Sequence, residues 1–376
     1  MKFVINRNLF LENLNNVMRA ISSRTTIPIL TGIKLDLSEE ELVLTGSDTD
    51  ISIQIKLAAS EDLQISTTGS IVLPARFFSE IVKKLPGKDF SFEVTENFQT
   101  LIKSENAEFT INGLDANNYP RLPEVQNDDS FTLDSKVISE LINQTTFAVA
   151  IQESRPILTG VHFAFAAGKL KAVATDSHRL AQREIELTDG PTGEMNLIIP
   201  GKSLTELSRI IGETSTKISV KSSENQILFV IGNISFYSRL LEGHYPDTDR
   251  LLPETSTTDV TFDIATLSSS LDRASLLTHE SRNNVVKLSI NPLNNTVVIK
   301  GNSPEIGNVE EEIAAKAMSG DELEISFNPD YLRDALRASI TDQVLMKFTQ
   351  PLRPFTVVPN QADLKFVQLI TPVRTF

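Results

Sequence analysis

The chain has 376 residues, 40% of them hydrophobic, which is enough for several cores, and its lack of cysteine excludes disulfides, thiolate metal sites and cysteine nucleophiles. Its 35 basic residues against 49 acidic ones leave a formal charge of −14, which taken alone argues against a protein that grips nucleic acid through counterion release. Met1–Arg7 lacks a signal-peptide core and no run of 18 apolar residues occurs, so a cytoplasmic protein without a membrane span is expected.

In chain order, Phe10, Leu14, Val17, Met18 and Ile21 fall at helical spacing, and the segment stops before Arg24-Thr25-Thr26-Ile27-Pro28. The stretches Leu42–Thr45 and Ile51–Ile55, bracketed by Gly46, Asp48 and Asp50, read as a hairpin. Pro74 to Leu85 predicts a second helix with Phe77, Phe78, Ile81, Val82 and Leu85 apolar and Pro86-Gly87 as its stop. Phe90–Val94 and Glu108–Ile111 add strands before Tyr119-Pro120. The same order returns around Val137–Phe147 and Pro200–Ile211, and again around Ile264–Leu277 and Pro329–Ala338. Each unit reads as two helices packed on antiparallel sheet, an α+β arrangement.

Identical residues confirm the repetition. Pro28-Ile29-Leu30-Thr31-Gly32 recurs unchanged as Pro156-Ile157-Leu158-Thr159-Gly160, and Asp48 and Asp176 share that 128-residue register. Tyr119-Pro120 before Leu122-Pro123 returns as Tyr245-Pro246 before Leu252-Pro253. A period of this length is a whole domain. Three domains are expected, at 1–125, 126–254 and 255–376, with polar joints at Glu124–Asp129 and Pro253–Thr258.

Nine residues on from the aligned positions Pro74, Pro200 and Asn328 stand Lys83, Arg209 and Arg337, all basic in an acidic chain. Arg76 with Lys83 and Lys202 with Arg209 share a helix face at i,i+7, and Arg333 with Arg337 at i,i+4. Charged helix faces are commonly just solvated. If the copies are set around one axis, however, the recurrence makes a ring of positive charge that attracts phosphates without reading bases.

Enzyme chemistry finds little support. No phosphate loop, dinucleotide fingerprint or His-Glu-x-x-His motif occurs. Asp176-Ser177-His178 has the letters of a triad, but neighbours on a strand or turn do not converge as nucleophile, base and orienter. Asp48 and Asp50 beside Gly46 and Ser47 suit a hairpin turn better than a hard cation, and His162, His178, His244 and His279 are scattered, so no metal and no cofactor is expected. A small-molecule site at a domain boundary and a protein-binding scaffold without a nucleic-acid role are the alternatives.

Four blocks carry a family likeness: Ser22–Leu30, Ala174-Thr175-Asp176-Ser177-His178-Arg179-Leu180-Ala181, Leu241–Asp247 and Gln368–Arg374. Together they closely resemble the bacterial beta sliding clamps, the beta subunits of DNA polymerase III, from end to end. The chain departs in Ser177, where many relatives have Gly, and in ending Thr375-Phe376 after Arg374. The resemblance implies three clamp domains per chain and a head-to-tail homodimer of six domains closed into a ring. Such a ring encircles double-stranded DNA and is a non-catalytic processivity factor in replication and repair, cytoplasmic and nucleoid-associated. The basic positions above, with Arg24 after the first helix, would then face the duplex. The replicative polymerase, the clamp loader and other proteins carrying short clamp-binding peptides are the implied partners.

The resemblance also implies a peptide pocket. Carried over by position, Leu158, Thr175, His178, Arg179 and Leu180 come from the second repeat. Pro246, Arg250 and Leu251 follow its Tyr-Pro signature, and Leu352 and Pro354 come from the third repeat. Leu369, Ile370, Thr371, Pro372, Val373 and Arg374 complete the lining from the C-terminal segment. Apolar walls would accept Leu and Phe anchors, and a few polar groups would fix orientation.

Overall fold

The computed structural model describes residues 1–376 apart from 123, 126–129, 153, 192, 213–215, 280–283 and 375–376. Of the joint expected at Glu124–Asp129, residues 126–129 lie outside the described residues, as do Pro123 of the first back signature and the terminal Thr375-Phe376.

Six helices stand where the periodicity predicts them: α1 Arg7–Val17, α2 Ala75–Lys84, α3 Ser135–Thr145, α4 Gly201–Ile211, α5 Ile264–Thr278 and α6 Pro329–Ala338. Their starts are chemically marked. Asn6 Oδ1 accepts from the Asn8 and Leu9 amides at 3.0 and 3.1 Å, Asp263 caps α5, and Asn328 caps α6 with Pro329 at its first position. The first helix is shorter than its apolar stripe: after Val17 the chain tightens into a 3-10 turn at Met18–Ala20, and Ile21 is already extended. Phe77, counted in the apolar stripe of α2, is 70% exposed, whereas Phe78 is fully buried.

The chain divides into two compact units, Met1–Ile138 with Lys202–Leu240, and Ser139–Gly201 with Leu241–Phe376. The second of the three repeats is thus shared between them. In the first unit an eight-stranded antiparallel sheet runs in the order Phe131–Asp134, Lys217–Ser222, Gln226–Ile231, Ile234–Arg239, Ile51–Ala58, Glu41–Ser47, Gly32–Leu37, Gly69–Pro74. Its middle is a seam between repeats, where Phe236 stands opposite Ile53 and both are fully buried. A five-stranded sheet, Leu63–Thr67, Lys2–Asn6, Asp89–Val94, Gln99–Ser104, Ala107–Asn112, completes the unit. Between sheet and helices Phe10 meets Phe78 and Phe90 edge-on at 5.6 and 5.3 Å, and Phe3 stacks on Phe92 at 4.7 Å.

The second unit repeats the plan. Its nine-stranded sheet runs Met195–Pro200, Gly160–Ala166, Lys169–Thr175, Arg179–Glu186, Phe366–Ile370, Phe355–Pro359, Gln343–Phe348, Thr258–Asp263, Ala317–Gly320. The seam here joins Arg179–Glu186 to Phe366–Ile370, with Leu180 opposite Leu369. A four-stranded sheet, Gly307–Glu312, Thr296–Ser303, Val286–Asn291, Leu323–Phe327, covers a core of Phe262, Leu267, Leu271, Phe327, Leu332, Phe348 and Phe355.

The repeated pentapeptide has a local reason. In both copies it forms a 3-10 turn that buries its Leu (Leu30 1% and Leu158 4% exposed) and is closed by a Thr hydroxyl donating to the Pro carbonyl, at 2.8 and 2.6 Å. A Cβ on Gly32 would come within 2.5 Å of Val72 Cγ1, and one on Gly160 within 2.8 Å of Ile198 Cγ2. Since the closest neighbours of Gly32 include the Leu73 carbonyl at 2.9 Å, Gly32→Ala is expected to cost about 1–3 kcal/mol of stability through overpacking. Thermal denaturation would read this as a lowered midpoint, and an unchanged midpoint would remove the steric account of the repeat.

Candidate functional site

The basic residues of the helices differ in how free they are. Arg76 and Lys83 are exposed on α2, and Lys83 pairs only with Glu80 on its own helix at 3.2 Å. On α4, Lys202 reaches Asp48 at 3.2 Å and Arg209 pairs with Glu206, both cations remaining more than half exposed. The Lys83–Glu80 pair, exposed at both ends, is worth about 0–1 kcal/mol, whereas Asp48 and Glu206, the carboxylates that meet the α4 cations, are only 7% and 16% exposed. Arg337 on α6 is exposed, as is Arg24 after α1, and among the described residues no carboxylate pairs with Arg24, Arg76 or Arg337. Arg333 is different: it is held by Asp330, by Asp272 at 2.9 Å and by Ser275 Oγ at 2.6 Å, with its side chain 18% exposed. It shares the turn spacing with Arg337 but not the freedom.

The Asp176-Ser177-His178-Arg179 block is a turn built around one carboxylate. Asp176 Oδ1 accepts the amides of His178 and Arg179 at 2.9 and 3.0 Å, and Oδ2 accepts Arg179 Nε at 3.1 Å. Ser177 sits at φ 78°, where glycine is easier, which accounts for the residue type the chain departs from. The Asp176 carboxylate therefore orders backbone and guanidinium; the imidazole of His178 instead lies parallel to the Tyr331 ring, with centroids 6.4 Å apart. Asp48 builds the same turn, accepting from the amides of Asp50 and Ile51 at 3.1 and 2.8 Å.

Arg179 is 11% exposed at its side chain, and its guanidinium reaches Asp334 Oδ2 at 2.6 Å between the rings of Phe147 and Tyr331, 5.5 and 4.8 Å from their centroids. Beside it opens a groove of about 420 Å³ lined by Leu158, Asp176 to Arg179, Tyr331, Val149 to Gln152, Ser154 and Arg155, with Ile151 93% exposed. Beside Leu180 and Leu369, Val173 completes a buried apolar cluster against which Tyr245 and Leu252 pack. A second groove is lined by Arg250 to Pro253, Thr349, Gln350, Arg353 and Pro354.

The structure thus gathers Leu158, His178 and Arg179 at the first groove, Leu180 and Leu369 in the cluster, and Arg250, Leu251 and Pro354 at the second. Thr175 is buried, with its amide donating to the Tyr245 hydroxyl at 3.1 Å and its hydroxyl to the Arg179 carbonyl at 2.6 Å. Thr371 joins through its amide and hydroxyl, both donating to the His178 carbonyl, at 2.9 and 2.6 Å. Ile370 is buried in the core of the third repeat, Val373 bonds to the Ser326 carbonyl, and Pro246, Leu352, Pro372 and Arg374 line neither groove. Tyr331, Phe147, Asp334, Val149 to Gln152, Ser154 and Arg155 were missed by the sequence reading. Only Tyr245 carried a signal, the repeated Tyr-Pro.

Burial pushes the Tyr245 hydroxyl well above its ordinary range, so it stays protonated where it meets Thr175. Burial also lowers His162, which stacks on Tyr245 at 5.1 Å; Asn196 opposes the shift and Lys171 adds to it. Among the described residues no three histidine or carboxylate side chains come together as a metal-binding group.

The comparable seam of the first unit has a different floor. Thr45, Ser52 and Tyr237 stand where Val173, Leu180 and Leu369 stand in the second, and Ser47 and Ser52 hydroxyls lie 2.7 Å apart there. A Leu or Phe anchor finds an apolar floor at one seam and hydroxyls at the other.

Residues 1–123, 132–247 and 249–374 match the N-terminal, central and C-terminal domains of the DNA polymerase III beta subunit. The beta sliding clamps of Staphylococcus aureus and Staphylococcus epidermidis are each 47% identical over 380 residues, covering all of both chains. The crystal structure of the Bacillus subtilis DNA polymerase sliding clamp superposes with a TM-score of 0.96 at 46% identity, and that of the Streptococcus pneumoniae beta chain with 0.96 at 43%, each over the full length of both chains.

Arg179 is placed to hold strand Arg179–Glu186 to α6 across the second seam. Its replacement by Ala is expected to cost about 1.5–3 kcal/mol, the scale of hydrogen bonds to charged groups. Lys should not restore the loss, because an ammonium lacks the planar fork and stacking face. Denaturant midpoints of the two variants check this; recovery by Lys would reduce the residue to a point charge.

Proposed function

The chain belongs to the DNA polymerase III beta subunit family, and we propose that two copies close head to tail into a ring that encircles duplex DNA and tethers its partners there. It is a sliding clamp, a processivity subunit of DNA replication without catalytic activity of its own.

One observation carries the ring. At each seam a strand 128 residues removed from its counterpart, Ile51–Ala58 and then Arg179–Glu186, pairs with an edge strand of the following repeat. The next step of 128 reaches Gly307–Glu312, which is an unpaired edge, and the equivalent of Ile234–Arg239 in the first repeat is Ala107–Asn112, also an unpaired edge. Pairing these two between copies is a heterologous contact that a two-fold axis closes, and it removes both open edges. The register of the first seam would put Phe109, the counterpart of Phe236, opposite Val309. Phe109 is half-buried in the single chain while Phe236 is fully buried. Exposure at the helices agrees: Phe77 and Leu276, counterparts of Tyr331 and Phe147, are 70% and 71% exposed.

Within such a ring Arg24, Arg76, Lys83, Lys202, Arg209 and Arg337 would meet phosphates weakly and without sequence preference, with Arg333 shaping α6 behind them. Weak contacts let the ring move, and topology holds it on DNA. The net charge of −14 discourages DNA elsewhere on the surface. The apolar cluster and its two grooves would take Leu and Phe anchors of short peptides from the replicative polymerase, the clamp loader and other DNA-processing proteins. Action in the cytoplasm at the nucleoid follows from this reading, and no helix of the described residues is long and apolar enough to cross a membrane.

Leu276→Asp or Phe77→Asp is expected to weaken dimerisation by roughly tenfold or more, as for a central contact of an interface. Sedimentation equilibrium would show the shift toward monomer while circular dichroism shows each chain still folded. A dimer of unchanged affinity would sink the third seam.

The encirclement itself is tested by loading the protein onto nicked circular DNA with a bacterial clamp loader and ATP, then cutting the circle once. Release on cutting is expected. Retention on linear DNA with free ends would mean that direct binding holds the complex, and the sliding mechanism would have to be given up.

A further inference from the structure

The segment Tyr245–Leu252 borders the apolar cluster, yet its hold on the sheet comes from residues behind it. His162 and Lys171 lie on neighbouring strands of one sheet face, with Val173 directly opposite His162. The His162 ring stacks on the Tyr245 ring at 5.1 Å and 19°, and its Nε2 lies 3.0 Å from Asn196 Oδ1, which fixes the plane of the imidazole. Lys171 Nζ grips both carboxylate oxygens of Asp249 at 3.0 and 2.7 Å, at the turn Asp249–Leu251. Neither His162 nor Lys171 lines a groove. The two fastenings bracket the segment. Tyr245 passes the constraint on, because its hydroxyl accepts the Thr175 amide, and Thr175 in turn accepts the Ser177 amide at 3.2 Å and donates to the Arg179 carbonyl.

We propose that His162 is a positioning residue for the peptide pocket: its ring holds Tyr245 over Val173, Leu180 and Leu369, and so sets the pocket's affinity for Leu- and Phe-anchored peptides. This rests on the pocket reading above. Removing the ring leaves Tyr245 free to swing, and the ligand must then order it at its own expense. Lys171 is the weaker fastening, since Asp249 is 58% exposed and solvent screens the pair.

The test is equilibrium binding of a fluorescein-labelled synthetic peptide with adjacent Leu and Phe residues to the full-length protein, with hydrogen exchange of the Thr175 amide as a second readout. His162→Ala is expected to weaken binding roughly three- to tenfold, the scale of one aromatic stack, and to speed Thr175 exchange. His162→Phe, which keeps a ring over Tyr245, should stay within about twofold of the parent in both. Should His162→Ala fail to fold, His162→Leu fills the space without a ring face and carries the same expectation of weaker binding. Parent-like binding by the ringless variant, or a Phe variant as weak as it, overturns the inference. Leu251→Glu, an exposed change at the second groove, separates the two levels: if it leaves binding untouched, the pocket reading fails whatever His162 does.

Discussion

An unpaired strand edge presents a row of backbone donors and acceptors, and closing such edges governs how this chain is built. Each repeat offers one edge and covers another, so the sheets run through the joins between repeats. That is why three sequence repeats give two compact units, with the second repeat contributing strands to both large sheets. The same constraint leaves Gly307–Glu312 and Ala107–Asn112 open in a single chain, the two edges that the proposed dimer joins.

The two seams also differ in the side chains they carry. At the second seam Leu180 faces Leu369, Arg179 is clasped between Phe147 and Tyr331, and the Asp176 turn brings His178 to the rim of a groove. At the first, the corresponding residues are Ser52 and Tyr237, and hydroxyls bond to one another. Identical backbone plans therefore give one apolar site and one polar joint. The difference is a matter of three side chains on a common frame, which is how a repeated fold comes to differ between its seams.

Charge is handled by position more than by amount. An excess of 14 acidic residues coexists with exposed cations on α2, α4 and α6, some paired with a carboxylate and some, among the described residues, without one. Arg333 breaks the pattern, because three partners make it part of the helix packing. Recurrence in sequence identified the positions; it could not tell a solvated guanidinium from a clasped one, since the carboxylate of Asp272 is 61 residues away along the chain.

The sequence by itself determined the repeat, the six helices and the hairpin turn, because each rests on local rules: a 3.6-residue apolar period, a Pro that opens or stops a helix, Asp and Gly between two strands. It also carried the family likeness, and with it Leu158, His178 and Arg179, which line the first groove, and Leu180 and Leu369 of the apolar cluster. It misjudged Phe77, apolar and in register yet exposed, because burial depends on what covers a face and not on the face's period. The strands Lys2–Asn6 and Leu63–Thr67 went unread, since five residues are too few to show a period and such short strands owe their form to partners elsewhere in the chain. Tyr331, Asp334 and Phe147 around Arg179, and His162 behind Tyr245, were settled only by tertiary structure. These contacts join residues more than thirty, and up to 155, positions apart, and the pairing of sheet edges that brings them together leaves no periodic trace in the chain.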